Sequence, residues 1–198
     1  LGWQVVTAWH KESFGEDGLL GRENKSEVIL SRYLLQALEK LNPNLPKTAY
    51  KQAVEHISQK IADKTLGRIN KEKYELLKNG VPVSFTNEKG ERVKKKLKVF
   101  NFNDYSDNHF LAVRQLQVDG ELYPNKRPDV IGFVNGIPLV FFELKAHHTD
   151  LRNAYNDNLK DYKDTIPHVL HTNAFIILSN GTDAKVGTVT SPYKFFLE

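Results

Sequence analysis

The sequence predicts an α/β fold, a mixed β-sheet flanked by helices, with a helical N-terminal portion. Three observations carry this expectation. Residues 127–145 set two apolar runs on either side of Asn135-Gly136, a strong hairpin signal. From Thr149 to about Lys163, Leu151, Ala154, Tyr155, Asn158, Leu159 and Tyr162 fall on one helical face, between strand-like runs. A strand, hairpin, helix and strand in that order make a sheet covered by a helix. Before about residue 80 the apolar period is helical, and after it the pattern reads as strands.

Taken in order, Trp3 to Trp9 reads as a short strand, and residues 10–23 as a loop with Gly15, Gly18 and Gly21. Asn24 starts a helix with Glu27 as its capping-box partner, and Asn42-Pro43-Asn44 stops it. A second helix runs from about Lys47 to Ala62, and a third from Lys71 to Lys78, ending at Asn79-Gly80. Val81 to Thr86 and Glu91 to Phe102 read as strands joined by a turn at residues 87–90. Leu111 to Val118 is a further strand, followed by a turn at Asp119-Gly120 and the central hairpin. After the helix Pro167 closes it off. Ala174 to Leu178 and Ala184 to Thr190 complete the set, with a turn between them. One domain of residues 1–198 is expected, helix-rich over 1–80 and with an α/β core over 81–198.

Composition narrows the function classes. Of 198 residues 40% are hydrophobic, 26% charged and 11% aromatic, enough to build a core. With no cysteine there is no disulfide framework and no thiolate metal site. The longest uninterrupted apolar run, Ile137 to Phe142, is far short of a membrane span, and no signal peptide is visible. The chain starts at Leu-Gly-Trp without a methionine, so its natural start is expected upstream. A net charge of +4 and a pI of about 9.1 permit a nucleic-acid partner but do not demand one.

The hairpin carries the chemistry. Glu143 directly follows six apolar residues, where a carboxylate is costly to desolvate without a partner. Glu143 and Lys145, two apart on a strand, share a face. Asp129 joins them only if the register is even. A plain two-residue loop would pair Val134 with Ile137 and throw Asp129 onto the opposite face. A three-residue loop with a G1 bulge at Gly136, or a compensating bulge near Gly132, brings it back. Two carboxylates and a lysine so arranged suit Mg²⁺, which takes one or two carboxylates together with water and substrate phosphate. Asp129 and Glu143 are the metal candidates, and Lys145 would orient water or offset developing charge. The reaction class is metal-assisted phosphodiester hydrolysis.

Pro128-Asp129 with Glu143-x-Lys145 resembles the PD-(D/E)xK nuclease motif. Longer words recur in order around it. They are Asn24-Lys-Ser-Glu-Val-Ile-Leu, Ala37 to Pro43, Asn79-Gly-Val-Pro-Val83, Asn108 to Gln115, Val134 to Leu139 and Ser179-Asn-Gly181. Over roughly residues 20–190 the set resembles the N-terminal nuclease domain of the R subunit of type I restriction–modification enzymes (HsdR). The resemblance implies a restriction-endonuclease-like fold and an endonuclease acting on double-stranded DNA in host defence. It implies Asp129, Glu143 and Lys145 as catalytic residues and Mg²⁺ as cofactor. It further implies modification (M) and specificity (S) subunits as partners, in the cytoplasm of a bacterium or archaeon. The family's Gln-x-x-x-Tyr motif falls on Asn158 to Tyr162, with Asn in place of Gln. Glu27 is the candidate for the fold's helix-borne acidic residue. The chain has no G-x-x-x-x-G-K-[ST] phosphate loop, so ATP would enter only through the family's downstream translocase domains, absent from this chain.

The remaining polar residues are read more plainly. Gln115 could support the site from the neighbouring strand. Lys126 and Arg127 adjoin it and are the DNA-binding candidates. Lys94, Lys95, Lys96 and Lys98 read first as a solvated hairpin face and second as a phosphate track. His147 and His148 read as polar residues at a strand end, and His168 and His171 lack a ligand constellation. Two competing functions stand beside the nuclease. One is a non-catalytic DNA-binding or docking module that keeps the fold, which the intact Asp129, Glu143, Lys145 set argues against. The other is an RNA-directed nuclease, for which no aromatic platform speaks.

Overall fold

A computed structural model describes residues 2–61 and 63–198. Its centre is a six-stranded sheet in the order β1-β4-β5-β6-β7-β8, formed by β1 (Gln4–Thr7), β4 (Phe110–Arg114), β5 (Val130–Val134), β6 (Ile137–Leu144), β7 (Phe175–Ser179) and β8 (Ala184–Gly187). The sheet is mixed. β1 runs parallel to β4 and β6 parallel to β7, while the β4–β5, β5–β6 and β7–β8 pairs are antiparallel. The parallel β6–β7 step needs a crossover. It is made by a continuous helical stretch of α4 (Leu151–Asn153), a π-helical segment (Ala154–Leu159) and α5 (Lys160–Thr165).

The residues before Val81 supply α1 (Ser31–Leu41), α2 (Lys47–Ser58) and α3 (Leu66–Asn79). A separate antiparallel pair, β2 (Val81–Thr86) and β3 (Arg92–Leu97), packs with them. Two apolar clusters result. The first joins the sheet to the crossover helix through Ile131, Phe133, Phe141, Ile176 and Leu178 against Ala154, Tyr155, Leu159 and Tyr162. The second joins α1–α3 to β2–β3 and takes in Ile137, just past the hairpin turn. Each fully buried Leu, Ile or Phe contributes about 1.5–3 kcal/mol. The architecture is the α/β, restriction-endonuclease-like mixed sheet flanked by helices that the sequence predicts. The packing does not divide at residue 80, however. β1 with Ala8, Leu20, Val28 and Leu30 belongs with the main sheet, while Ile29 and β2–β3 belong with the helices.

The first helix begins seven residues later than Asn24, and the cause is a buried arginine. Arg22 forms a bidentate pair with Glu12 and donates to the carbonyls of Lys25, Glu27 and Gln117. The bonds to Lys25 O and Glu27 O engage carbonyls that a helix from Asn24 would use. Asn24 Oδ1 instead accepts from Ser26 N, and the Glu27 carboxylate reaches back to Glu23 N. Glu27 is therefore in a turn, not on a helix. The third helix starts earlier than Lys71, and two strands are shorter than the sequence suggests. β3 stops at Leu97, and β4 stops where Gln115 adopts φ +55°.

Candidate active site

The two ends of the β5–β6 hairpin are built differently. At the turn, Asn135 and Gly136 have φ of +51° and +78°, as a two-residue type I′ turn requires. Val134 pairs with Ile137 and Phe133 with Pro138. The next pair is Gly132 with Val140, so Leu139 is an extra residue on β6. This is the compensating bulge near Gly132, and not the three-residue G1 loop. Residues beyond the crossover helix hold it open. Ala174 N and Asn173 Nδ2 donate to Leu139 O at 2.8 and 3.1 Å, and Thr172 Oγ1 donates to Pro138 O at 2.8 Å. Beyond the bulge Val130 faces Phe142, so Asp129 and Glu143 are next in register and share one face.

At the turn end the side chain of Asn135 is fully satisfied. Asn135 is fully buried. Its Nδ2 donates to Val99 O and Asn108 Oδ1 at 2.7 and 2.9 Å, and its Oδ1 accepts from His109 N at 2.8 Å. Gly136 O accepts from Leu30 N, the residue preceding α1. A Cβ on Gly136 would lie 2.4 Å from Leu30 O, so glycine is required by contact as well as by φ.

At the other end the demands are not met. Glu143 is 2% exposed, on a strand bonded on both sides. Its Oε1 lies 3.7 Å from Lys145 Nζ, and its Oε2 is buried with no hydrogen-bond partner. Burial, and then the neighbouring charge of Asp129, push its pKa up to about 8, although Lys145 pulls it down. Asp129 is oriented by two donors, Gln115 Nε2 to Oδ1 at 2.8 Å and Leu144 N to Oδ2 at 2.9 Å. Gln115 N also donates to Asp129 O at 2.9 Å, so the left-handed turn at Gln115 gives Asp129 two bonds from one residue.

The crossover helix completes the group. Lys145 Nζ donates to Asn158 Oδ1 at 2.5 Å. Asn158 lies in the π-helical segment, where Lys160 N bonds back five residues to Tyr155 O. Such a widened turn is common at functional positions. Tyr162, one turn on, is buried, and its hydroxyl donates to Arg127 O at 3.4 Å. Burial and the charge of Glu143 raise the Tyr162 pKa, so the phenol stays protonated as a donor. Asp129, Glu143, Lys145, Asn158 and Gln115 thus converge, with Tyr162 beside them.

The flanking cations are already engaged. Lys126 is paired with Asp161 at 2.8 Å, and the Arg127 guanidinium lies 4.1 Å from the centre of the Trp9 ring. No sequence signal marks Asp161 or Trp9 as a site residue. Both follow charged or apolar neighbours in a way that carries no site signal. His147 and His148 are exposed beyond β6, Lys94, Lys95 and Lys96 are exposed along β3, and Lys98 is exposed just after it. Glu27 lines a different crevice, with Lys73, His168 and His171.

The donor set fits a hard divalent cation. A buried carboxylate oxygen without a partner faces a second carboxylate whose oxygens retain acceptor capacity. Among the described residues no cluster of three or more His, Asp or Glu side chains could hold a metal. Two carboxylates would therefore leave most of the coordination to water and substrate phosphate, as Mg²⁺ favours.

Comparison with known proteins places these residues in a wider set. Residues 1–195 match the family model described as Type I restriction enzyme R protein N terminus. Over 199 aligned residues the chain is 33% identical to the Type I restriction enzyme HindI endonuclease subunit of Haemophilus influenzae, covering 99% of this chain and 18% of that one. Over 182 residues it is 30% identical to the "Putative type I restriction enzyme MjaIXP endonuclease subunit" of Methanocaldococcus jannaschii, covering 89% and 17%. The chain spans less than a fifth of the length of these curated relatives.

Proposed function

The chain belongs to the type I restriction enzyme R protein N-terminus family, and from that premise we propose that it is a DNA-cutting domain that hydrolyses phosphodiesters of double-stranded DNA with Mg²⁺. The observation that carries this reading is the buried, partnerless Glu143 Oε2, set on one face with Asp129 and Lys145. A structural ion pair would satisfy that oxygen.

Asp129 and Glu143 would hold the metal. A bound Mg²⁺ supplies charge stabilisation to the phosphate and lowers the pKa of a bound water. Everything else is the work of the chain. Asn158 accepts one of the three N–H bonds of Lys145 and leaves the others to point at the scissile phosphate or the attacking water. The ammonium then offsets the charge that develops on the phosphoryl oxygens. Gln115 and Leu144 N fix the Asp129 carboxylate, so its approach to the cation needs no reorganisation. Tyr162, protonated and buried, packs edge-on against Phe141 and donates to Arg127 O beside the site.

In the full R protein this domain would act beside an ATP-dependent translocase and with modification and specificity subunits, against foreign DNA in the bacterial or archaeal cytoplasm. Among the described residues no helix is long and apolar enough to cross a membrane. The test is nicking of supercoiled plasmid with Mg²⁺, comparing the wild-type chain with Glu143→Gln and Lys145→Ala. Equal nicking by all three would discard the catalytic assignment.

A further inference from the structure

The surface at the far end of the hairpin carries features that cleavage does not use. A groove of about 960 Å³ runs between α3 and the segment after β3, and the bulged residue Leu139 lines it. A smaller one of about 330 Å³ continues from it, sharing Lys78, Phe100 and Phe102. Three rings stand out into solvent along this surface, Phe102 at 73%, Tyr105 at 67% and Tyr74 at 53% exposure.

The rings are not on a loose loop. Asn101 N donates to Asn108 Oδ1, and Asn108 Nδ2 donates back to Asn101 O, at 2.9 and 2.8 Å. Asn101 Oδ1 accepts from Asn103 N and Asp104 N, and Asp104 Oδ1 accepts from Ser106 N. Asn108 is tied in turn to the buried Asn135 of the hairpin turn. A segment fixed by so many bonds holds Phe102 and Tyr105 outward, although exposing large apolar rings is unfavourable. The charge that lines the grooves has one sign, although Asp104 and Asp107 lie in the loop that carries Tyr105. Lys71, Lys78, Lys96 and Lys98 line the two grooves, and no carboxylate does among their described lining residues. Asp107 of the loop is already taken by Lys40 and Asn101.

From this charge and these rings we infer that the groove binds single-stranded DNA, the bases stacking on Phe102, Tyr105 and Tyr74 and the phosphates meeting the four lysines. Flat rings flanked by cations suit unpaired bases, whose faces a duplex hides, and Lys78, whose Nζ lies 5.5 Å from the Tyr74 ring centre, would turn to a phosphate as a base stacks there. The lysines supply the phosphate contacts that make such binding depend on salt. The inference rests on the nuclease reading only for the choice of DNA over RNA. It assigns a track for an unwound strand, at the opposite end of the β5–β6 hairpin from the Asp129–Glu143 site.

The test is fluorescence anisotropy of a labelled oligothymidylate of about 15 nucleotides, in chelator without metal, so that cleavage plays no part. Phe102→Ala and Tyr74→Ala should each weaken binding about five- to a hundredfold, and Phe102→Tyr should keep it. Lys96→Ala should lower the slope of log affinity on log salt by about 0.7. Phe195→Ala removes a ring 61% exposed outside the groove and should bind as the wild type does. Circular dichroism confirms that each variant is folded. Affinity unchanged by Phe102→Ala and Tyr74→Ala overturns the inference. So does absence of oligothymidylate binding, which a groove built for a protein segment would give, or tighter binding of oligouridylate. None of these results touches the nicking assay, whose failure would leave this one standing.

Discussion

The two ends of the β5–β6 hairpin each bury a polar side chain, and they treat it in opposite ways. Asn135 meets three partners within 2.9 Å and leaves nothing over. Glu143 meets a lysine at 3.7 Å and leaves one oxygen with nothing. Burying an unpaired polar group costs about 1–3 kcal/mol, and more for a charge. The turn end is what stability asks of a buried polar residue. The site end departs from it, in one strand and within seven residues of the turn. On the proposed reading, the difference separates a polar group kept for the fold from one kept for a ligand.

The largest test of that contrast is catalytic. Glu143→Gln and Lys145→Ala should each lower Mg²⁺-dependent nicking by at least about a hundredfold, the scale seen when one preorganised electrostatic group is removed. Thermal denaturation should show both variants folded.

Next comes the pH dependence of stability without metal. Free glutamate titrates near 4.5 and Glu143 near 8, so between those values the unfolded chain loses a proton that the folded chain keeps. The unfolded state then binds fewer protons, and stability falls as pH rises through this window, by on the order of a few kcal/mol. Urea titrations at several pH values should find this slope in the wild type and a flatter one in Glu143→Gln. Mg²⁺ at pH 8 should raise the melting temperature of the wild type and leave that of Glu143→Gln unchanged.

At the turn end no pH dependence is expected. Asn135→Ala strands Val99 O and His109 N and should cost about 2–3 kcal/mol at every pH, read by urea denaturation. A loss confined to high pH would break the comparison. The smallest effect is expected at Asn158. Asn158→Ala removes the acceptor that holds Lys145, and nicking should fall about tenfold. Asn158→Asp keeps an acceptor and should retain more activity than Asn158→Ala.

Much of this hairpin is legible in the sequence, because its signals are local. Asn135-Gly136 marks the turn, and the spacing of Glu143 and Lys145 sets their common face. The requirement of an even register also follows from residue counts alone. Where the extra residue sits does not, since Leu139 is held out by Thr172, Asn173 and Ala174 across the sheet. The crossover helix shows the same division. Its buried stripe of Leu151, Ala154, Tyr155, Leu159 and Tyr162 is periodic and readable. The π-helical widening that carries Asn158 leaves no mark on that period. The sequence places the start of α1 too early because Asn24 and Glu27 have the spacing of a local cap, whereas Arg22 binds Gln117 O from far along the chain. Distant partners likewise engage Lys126 and Arg127, through Asp161 and Trp9.

The bond from Leu30 N to Gly136 O has a consequence for the order of folding. It ties the start of α1 to a hairpin turn about a hundred residues later, and the parallel pairing of β1 with β4 spans a similar distance. Contacts this remote form slowly, because the loop between them must close before they contribute anything. Helices α1 to α3 and the β2–β3 pair are local and can form early. The hairpin can close early as well, but its anchorage waits for both ends of the chain. The carboxylates are therefore expected to come into alignment only in the last steps of folding, and partly folded chains would be unable to cut.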